Sequence, residues 1–99
     1  MFFAIVAIDR PGVTEVRAST RPAHREYLKA PPQGVTYRLG GPLLAPDGAT
    51  PIGSLLVIDA PDLATAERFS ANDPYSKADI FAEVSVTHWD WGTGNPDKR

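Results

Sequence analysis

The chain has 99 residues, of which 42% are hydrophobic and 22% are charged, and it contains no cysteine. These values are typical of one compact domain, because a chain of this length cannot fill a second core. A net charge of −2 argues against a nucleic-acid partner, which needs clustered lysine and arginine. The lack of cysteine excludes disulfides and thiolate metal sites and favours the cytoplasm.

The first predicted element is a strand at Phe2–Ile8, a run of seven apolar residues. The run is too short for a transmembrane helix or a signal peptide, so we expect no membrane partner. Its apolar residues do not alternate with polar ones, which indicates a central strand that is covered on both faces.

A helix is predicted from Thr14 to about Ala30, where helix-forming residues predominate. Pro22 lacks the amide that a helix interior needs, so we expect a kink or a fresh start there, with Ser19 or Thr20 as the cap. The Pro-Pro-Gln-Gly sequence that follows ends the helix.

Two strands joined by a tight turn are predicted next, at Val35–Leu44 and Ile52–Asp59. Gly40–Pro42 interrupts the first strand, which favours a bulge or an edge strand where the backbone approaches another group closely. Pro46–Gly48 contains the proline, aspartate and glycine typical of a turn. Leu55–Ile58 is apolar without alternation, so this strand is also expected to be covered on both faces.

The rest of the chain predicts a helix, a strand and a tail. Asp62 is the expected N-cap of the helix and Pro74 its end, with three apolar residues on one face: Leu63, Ala66 and Phe69. An alternating strand follows at Phe81–Trp91, and Gly92–Arg99 is a polar tail.

The order β-α-β-β-α-β is typical of the ferredoxin-like arrangement, an α+β fold in which both helices lie on one face of an antiparallel sheet. Helices would cover one face only, whereas two of the strands are apolar on both. A second copy of the chain is the simplest cover for the other face, which predicts a homodimer with its sheets packed face to face.

The candidate catalytic residues are His24 and Asp73, which can form a general acid/base pair. They lie ten residues after Thr14 and eleven after Asp62, each on the apolar half of its helix in projection. If both helices start from the same end of the sheet, the two residues lie at similar heights, at about 1.5 Å per residue. Two alternatives remain open: a packed core histidine at 24, and an aspartate at 73 that only caps the following turn.

Four further residues are candidate substrate-binding groups: Tyr27, Arg21, Gly41 and Tyr75. Packing is the preferred role of Tyr27, although its hydroxyl can donate a hydrogen bond. Arg21 or Arg25 can bind an anion, although arginines on a helix surface are usually solvated. The amides of Gly40 and Gly41 can receive an oxyanion, although a structural bulge is the stronger interpretation.

No metal or cofactor site is predicted, because two histidines without cysteine are too few ligands for zinc and no nucleotide-binding motif is present. His88 lies on the same side of the last strand as Val84 and Val86, which favours a buried histidine or an interface contact. Trp89 and Trp91 are expected to line the dimer interface rather than stack on a substrate ring.

Three segments resemble the markers of the YciI-like family: Arg21–Leu28, Gly41–Leu43 and Asn72–Tyr75. With the first and last strands, the resemblance covers residues 1–91, which we predict to form a single domain. It implies a ferredoxin-like fold, a dimeric α+β barrel related to muconolactone isomerase, and an active site on His24 and Asp73. A relative in that family is a dehydrochlorinase acting on a chlorinated hydroxyhydroquinone.

The sequence therefore predicts a small cofactor-independent enzyme that uses His24, oriented by Asp73, for elimination or isomerisation of a small metabolite. One alternative is a non-catalytic module whose cleft binds a small molecule or a partner protein. A cofactor-free oxygenase ranks last, because it rests on fold analogy alone.

Overall fold

The computed structural model describes residues 1–97, which form a four-stranded antiparallel sheet and three helices. The elements in chain order are β1 (Phe2–Asp9), α1 (Thr14–Lys29), β2 (Thr36–Leu44), β3 (Pro51–Asp59), α2 (Leu63–Ala71), α3 (Pro74–Lys77) and β4 (Phe81–Trp89). The strand order β2-β3-β1-β4 confirms the ferredoxin-like α+β fold, to which the four-residue α3 is added. No helix among residues 1–97 is long and apolar enough to cross a membrane.

The covered face of the sheet carries the core. Along it, Phe3 pairs with Ile58 and Ile5 pairs with Leu56, and side chains from the helices pack on them. The core cluster consists of Phe3, Ile5, Val35, Leu56, Ile58, Ala60, Ala66 and Phe69. Burial of each large apolar side chain contributes about 1.5 to 3 kcal/mol, so this cluster is the main source of stability.

The opposite face, which we call the open face, is also apolar. Strand register places Ile8, Leu39, Leu55 and Trp89 on it, and each exposes between 37% and 39% of its surface. The predicted central position of β1 and β3 is therefore confirmed, whereas Ile8 and Leu55 of these strands stay exposed on the open face.

Helix α1 continues through Pro22 without the predicted fresh start. Ser19 and Thr20 do not cap a new helix, because their hydroxyls donate to the carbonyl oxygen of Val16 in the preceding turn. That prediction is wrong because the buried side chains of Arg17 and His24 hold the helix on both sides of the proline.

The two long helices start from opposite ends of the sheet, contrary to the expectation from sequence. Strands β1 and β3 are antiparallel, so α1, which follows β1, and α2, which follows β3, run in opposite directions. His24 lies about 15 Å from the start of α1, and Asp73 lies about 16 Å from the N-cap of α2. Because the two depths are measured from opposite ends of the sheet, they add. Their sum matches the length of a nine-residue strand, about 30 Å, so His24 and Asp73 lie at the same height along the sheet.

The predicted turn and helix cap are both confirmed. Asp47 accepts hydrogen bonds from the backbone amides of Ala49 and Thr50, both at 2.9 Å, and from the Thr50 hydroxyl at 2.6 Å. These bonds lower the pKa of Asp47 to about 2. Asp62 accepts from the amide of Thr65 at 2.8 Å and begins α2.

Strand β2 is an edge strand, as predicted. Its register shifts between Tyr37 and Leu39, and again between Leu43 and Leu44, so the irregularities flank Gly40–Pro42 instead of falling on it. This places the glycines in regular pairing with β3.

The last strand ends at Trp89, two residues before the predicted end. Trp91 is buried and meets the ring of Phe2 edge to face, with centroids 5.3 Å apart. Arg38 lies over Trp91 and forms a 3.0 Å ion pair with Asp97. The described part of the predicted tail, residues 92–97, is thus held against the sheet, and residues 98 and 99 lie outside the described residues.

Candidate active site

His24 and Asp73 meet in the folded chain. The distance from His24 Nδ1 to Asp73 Oδ1 is 2.7 Å, and the two side chains are 10% and 4% exposed. Asp73 is the N-cap of α3, and its Oδ1 also accepts the amide hydrogen of Tyr75 at 2.9 Å. The cap and the histidine contact, which the sequence posed as alternatives, are made by the same oxygen.

The position of Asp73 follows from the proline after it. A residue before proline is disfavoured in the helical region, and Asp73 accordingly has a ψ of 132°. The chain therefore leaves α2, turns, and enters α3 with Pro74 at its first position. This break directs the carboxylate towards α1 instead of leaving it on the side of α2.

The other ring nitrogen of His24 is open to the adjacent cavity. Because a carboxylate can only accept, Nδ1 is the donor in the contact with Asp73, which leaves Nε2 as the nitrogen that bears the lone pair of a neutral ring. Nε2 has no hydrogen-bond partner in residues 1–97, yet no buried polar side-chain atom of that range lacks one. Nε2 is therefore accessible, and for a residue only 8% exposed that access lies through the cavity.

The cavity has a volume of about 360 Å³ and lies between α1, the sheet and α3. Its lining residues are Arg17, Arg21, His24, Arg25, Leu28, Lys29, Tyr37, Gly40, Gly41, Pro42, Ser54, Leu56 and Tyr75. Four of these side chains are arginine or lysine and none is a carboxylate, so the cavity favours a negatively charged ligand. Its volume lies at the small end of the usual range for ligand sites, which suits a compound of one ring.

Arg17 was not predicted as a site residue. It lies one and two turns before Arg21 and His24, at a spacing of four and three residues, so all three share one face of α1. That spacing is the signal that was available in the sequence. It was missed because an arginine on a helix is usually solvated, whereas Arg17 is only 7% exposed.

Arg17 is fixed by three hydrogen bonds to the sheet. It donates to Asp9 Oδ1 at 2.7 Å and, through its second nitrogen, to the carbonyl oxygen of Gly53 and the hydroxyl of Ser54, both at 2.8 Å. Burial raises the pKa of Asp9, and the charge of Arg17 opposes that rise. Arg17 therefore ties α1 to β1 and β3 at the cavity wall, where the Asp9 carboxylate balances its charge.

Tyr75 packs directly against the histidine. Its ring stacks on the His24 imidazole with centroids 4.0 Å apart and planes 14° apart, and the guanidinium carbon of Arg17 lies 4.6 Å from the Tyr75 centroid. Since the imidazole fills one face of the ring, the guanidinium occupies the other. Tyr75, one of the predicted substrate-binding residues, thus holds the plane of the imidazole and lines the cavity.

Tyr27 lies outside the cavity lining. Its hydroxyl donates to the carbonyl oxygen of Phe69 at 2.8 Å, and the two rings stack at 4.9 Å. Burial, together with the charge of Asp73, raises the pKa of Tyr27 to about 12. The geometry matches the packing role preferred from the sequence and not a substrate contact.

Arg21, Arg25 and Gly41 all line the cavity, as does Gly40. A side chain at Gly40 would place Cβ 2.5 Å from the backbone oxygen of Leu55 and 2.7 Å from the hydroxyl of Tyr37. Only glycine fits there, which confirms the predicted close approach of the backbone.

His88, Trp89 and Trp91, at and just after the end of β4, are not among the residues that line the cavity. His88 is exposed and packs its ring against Phe3, with centroids 4.6 Å apart. The interpretation of His88 as buried is wrong because β4 is an edge strand. Trp89 and Trp91 stack on each other at 5.6 Å. Residues 1–97 contain no group of three or more histidine and carboxylate side chains placed to hold a metal ion.

Fold and site together define a ferredoxin-like α+β domain with a buried histidine–aspartate contact beside a basic cavity. The chain belongs to the family of the YCII-related domain, which matches residues 1–90 and confirms the resemblance seen in the sequence. It is 31% identical over 91 residues to Protein YciI of Escherichia coli O6:H1 and to that of Shigella flexneri, an alignment covering 87% of this chain and 93% of each relative.

A solved structure is similar over nearly the same length. It is 5-chloro-2-hydroxyhydroquinone dehydrochlorinase (TftG) from Burkholderia phenoliruptrix AC1100, in complex with 2,5-dihydroxybenzoquinone. The match has a TM-score of 0.77 and 34% sequence identity, and it covers 93% of this chain and 96% of that chain. The structural neighbour is thus an enzyme of the elimination type.

Proposed function

We propose that the protein is a cofactor-independent acid/base enzyme that catalyses elimination or isomerisation of a small anionic ring compound. The observation that carries this proposal is the 2.7 Å contact between His24 Nδ1 and Asp73 Oδ1, with Nε2 open to a cavity. A carboxylate on one ring nitrogen fixes the tautomer and stabilises the imidazolium, which is the arrangement a general base needs.

In the proposed reaction, Nε2 of His24 takes a proton from a carbon or hydroxyl of the bound substrate. The electron pair left behind moves towards the substrate oxygens as the imidazolium forms beside Asp73. For isomerisation, the imidazolium returns the proton at another atom. For elimination, the electron pair expels a leaving group with its bonding electrons, and His24 later releases the proton to water.

The charge of the cavity supports an anionic substrate. Arg21 and Arg25 are exposed at the cavity and form no salt bridge with any residue of the described range. Because no carboxylate of residues 1–97 pairs with these two cations, they are available to a negatively charged ligand. The structural neighbour acts on a chlorinated hydroxyhydroquinone and was solved with 2,5-dihydroxybenzoquinone, both rings that carry several oxygens.

We also propose that a second copy of the chain covers the open face. The exposed side chains of Ile8, Leu39, Leu55 and Trp89 form an apolar surface of the kind that commonly marks an interface. A symmetric sheet-to-sheet contact would bury all four at once.

Chloride release from 5-chloro-2-hydroxyhydroquinone tests the proposed function. We expect wild-type protein to release chloride, and His24→Gln to lower kcat by about 10² to 10⁴-fold, the usual contribution of a general base. His88→Gln is the matched control, because it makes the same replacement on the exposed edge strand and should leave kcat unchanged.

Two results would contradict the proposal. An undiminished rate in folded His24→Gln removes His24 from the mechanism. Wild-type protein that binds 2,5-dihydroxybenzoquinone in calorimetry but releases no chloride favours the non-catalytic binding module instead.

A further inference from the structure

The hydroxyl of Tyr75 has no hydrogen-bond partner within residues 1–97, although the residue as a whole is buried. Tyr75 is 3% exposed, and its hydrogen bonds within residues 1–97 are made by its backbone amide, to Asp73, and its backbone carbonyl, from Ile80, and not by its hydroxyl. No buried polar side-chain atom of that range is left without a partner, so the hydroxyl oxygen must reach accessible space. Tyr75 lines the cavity beside His24 and a smaller cavity that adjoins it, so the hydroxyl reaches space at one of these two.

Tyr75 also stands between two cavities. A second one, of about 210 Å³, is lined by Thr14, Arg17, Ala18, Arg21, Pro51 and Tyr75. It shares Arg17, Arg21 and Tyr75 with the cavity at His24. The phenol ring therefore lies at the place where a ligand bound beside His24 would be next to Arg17 and Arg21.

The ring of Tyr75 is held too firmly for the hydroxyl to move away. The imidazole of His24 stacks on one face and the guanidinium of Arg17 lies over the other, at 4.0 and 4.6 Å between centres. The Tyr75 amide is bonded to the same Asp73 oxygen that orients His24. Base and phenol are thus anchored on one carboxylate, and their relative position is preorganised, which is what electrostatic catalysis requires.

We infer that Tyr75 is a second catalytic residue: its hydroxyl donates a hydrogen bond to the substrate oxygen on which negative charge develops when His24 removes a proton. This inference rests on the proposed function and specifies the substrate class as a compound with a hydroxyl or carbonyl oxygen next to the reacting atom. No covalent bond to Tyr75 forms, and the phenol keeps its proton throughout.

The charges around Tyr75 agree with a neutral donor. Burial raises its pKa, and the charges of Asp73 and Asp9 act in the same direction. The charges of Arg17 and Arg21 oppose that rise. With the pKa above its ordinary value of 10.0, the hydroxyl is protonated at neutral pH and able to donate.

The test is Tyr75→Phe, which removes one oxygen and keeps the ring between His24 and Arg17. We expect kcat/KM for chloride release from 5-chloro-2-hydroxyhydroquinone to fall about 100-fold, as on loss of one oxyanion donor. The dissociation constant of 2,5-dihydroxybenzoquinone, measured by calorimetry, should rise about tenfold. The melting temperature should stay unchanged, because no bond within the described chain is lost.

Tyr27→Phe is the matched control. It removes the same atom from a tyrosine on α1. The hydroxyl of Tyr27 donates to the carbonyl oxygen of Phe69, and Tyr27 does not line the cavity. We expect a lower melting temperature but an unchanged kcat/KM, the reverse of the Tyr75→Phe result.

The outcomes separate this inference from the proposed function. Unchanged kcat/KM and unchanged quinone binding in Tyr75→Phe, with His24→Gln inactive, overturn the role of Tyr75 alone. A large loss in Tyr75→Phe with normal His24→Gln overturns the base assigned to His24 and retains the donor. An equal loss in Tyr75→Phe and Tyr27→Phe shows a structural effect and also overturns the inference.

Discussion

The covered face and the open face of the same sheet have opposite characters. On the covered face, charged and polar groups are buried and paired, as in the contacts of Arg17 with Asp9 and of His24 with Asp73. On the open face, large apolar groups such as Leu39 and Leu55 remain more than a third exposed. Charged residues are usually exposed and large apolar residues are usually buried, so each face contains exceptions to this distribution.

The two faces of the sheet therefore differ in the role that we propose for them. A buried ion pair adds little stability compared with apolar packing, so its presence on the covered face indicates a role in positioning. Exposed apolar surface has a cost in water that a partner can remove. This contrast supports the catalysis that we propose for the cavity beside His24 and the contact with a second copy that we propose for the open face.

The largest expected effect on stability comes from breaking the buried pair on the covered face. Arg17→Met leaves the Asp9 carboxylate buried without its partner and should lower the free energy of unfolding by about 3 to 5 kcal/mol. Urea denaturation measures the change, and adding Asp9→Asn should restore most of it. Arg21→Met, one turn later on α1 and exposed, should change stability by less than about 0.5 kcal/mol. An equal effect of the two arginine variants would refute the distinction.

An intermediate effect should distinguish two positions on β3. Ile58→Ala removes a fully buried side chain from the covered face and should cost about 3 kcal/mol. Leu55→Ala, on the open face, should cost about 1 kcal/mol in dilute protein, because its side chain is already partly exposed. In sedimentation experiments at higher concentration, Leu55→Ala should weaken self-association and Ile58→Ala should not. Equal association of wild type and Leu55→Ala would argue against a dimer through this face.

The smallest effect is expected in the β2–β3 turn, which belongs to neither face. The folded pKa of Asp47, about 2, lies below its ordinary value of 3.8. Its carboxylate therefore stabilises the fold above about pH 4, and that contribution is lost as the pH falls towards about 2. Urea midpoints should show Asp47→Ala less stable than wild type at neutral pH, with the difference shrinking on acidification. A difference independent of pH would show that the hydrogen bonds of Asp47 do not depend on its charge.

Much of the site could be read from the sequence because its elements are locally encoded. His24 falls on an apolar helix face, Asp73 precedes a proline, and Asp47 and Asp62 occupy positions typical of a turn and a cap. Predictions failed where contacts between elements decide the structure, because the sequence pattern of one element does not show what that element packs against. The fresh helix start expected at Pro22 was wrong because packing of Arg17 and His24 overrides the local cost of proline.

The sequence alone determined the order of the elements, since periodicity and turn chemistry depend on neighbours along the chain. Its motifs identified the family and the two residues of the proposed acid/base pair. Only the tertiary structure decided that the helices approach from opposite ends, that Arg17 is buried and that Tyr75 stacks on His24. These features depend on partners far apart in the chain, such as His24 and Asp73, which are 49 residues apart. A local pattern states which face a residue occupies, and packing alone states what that face meets.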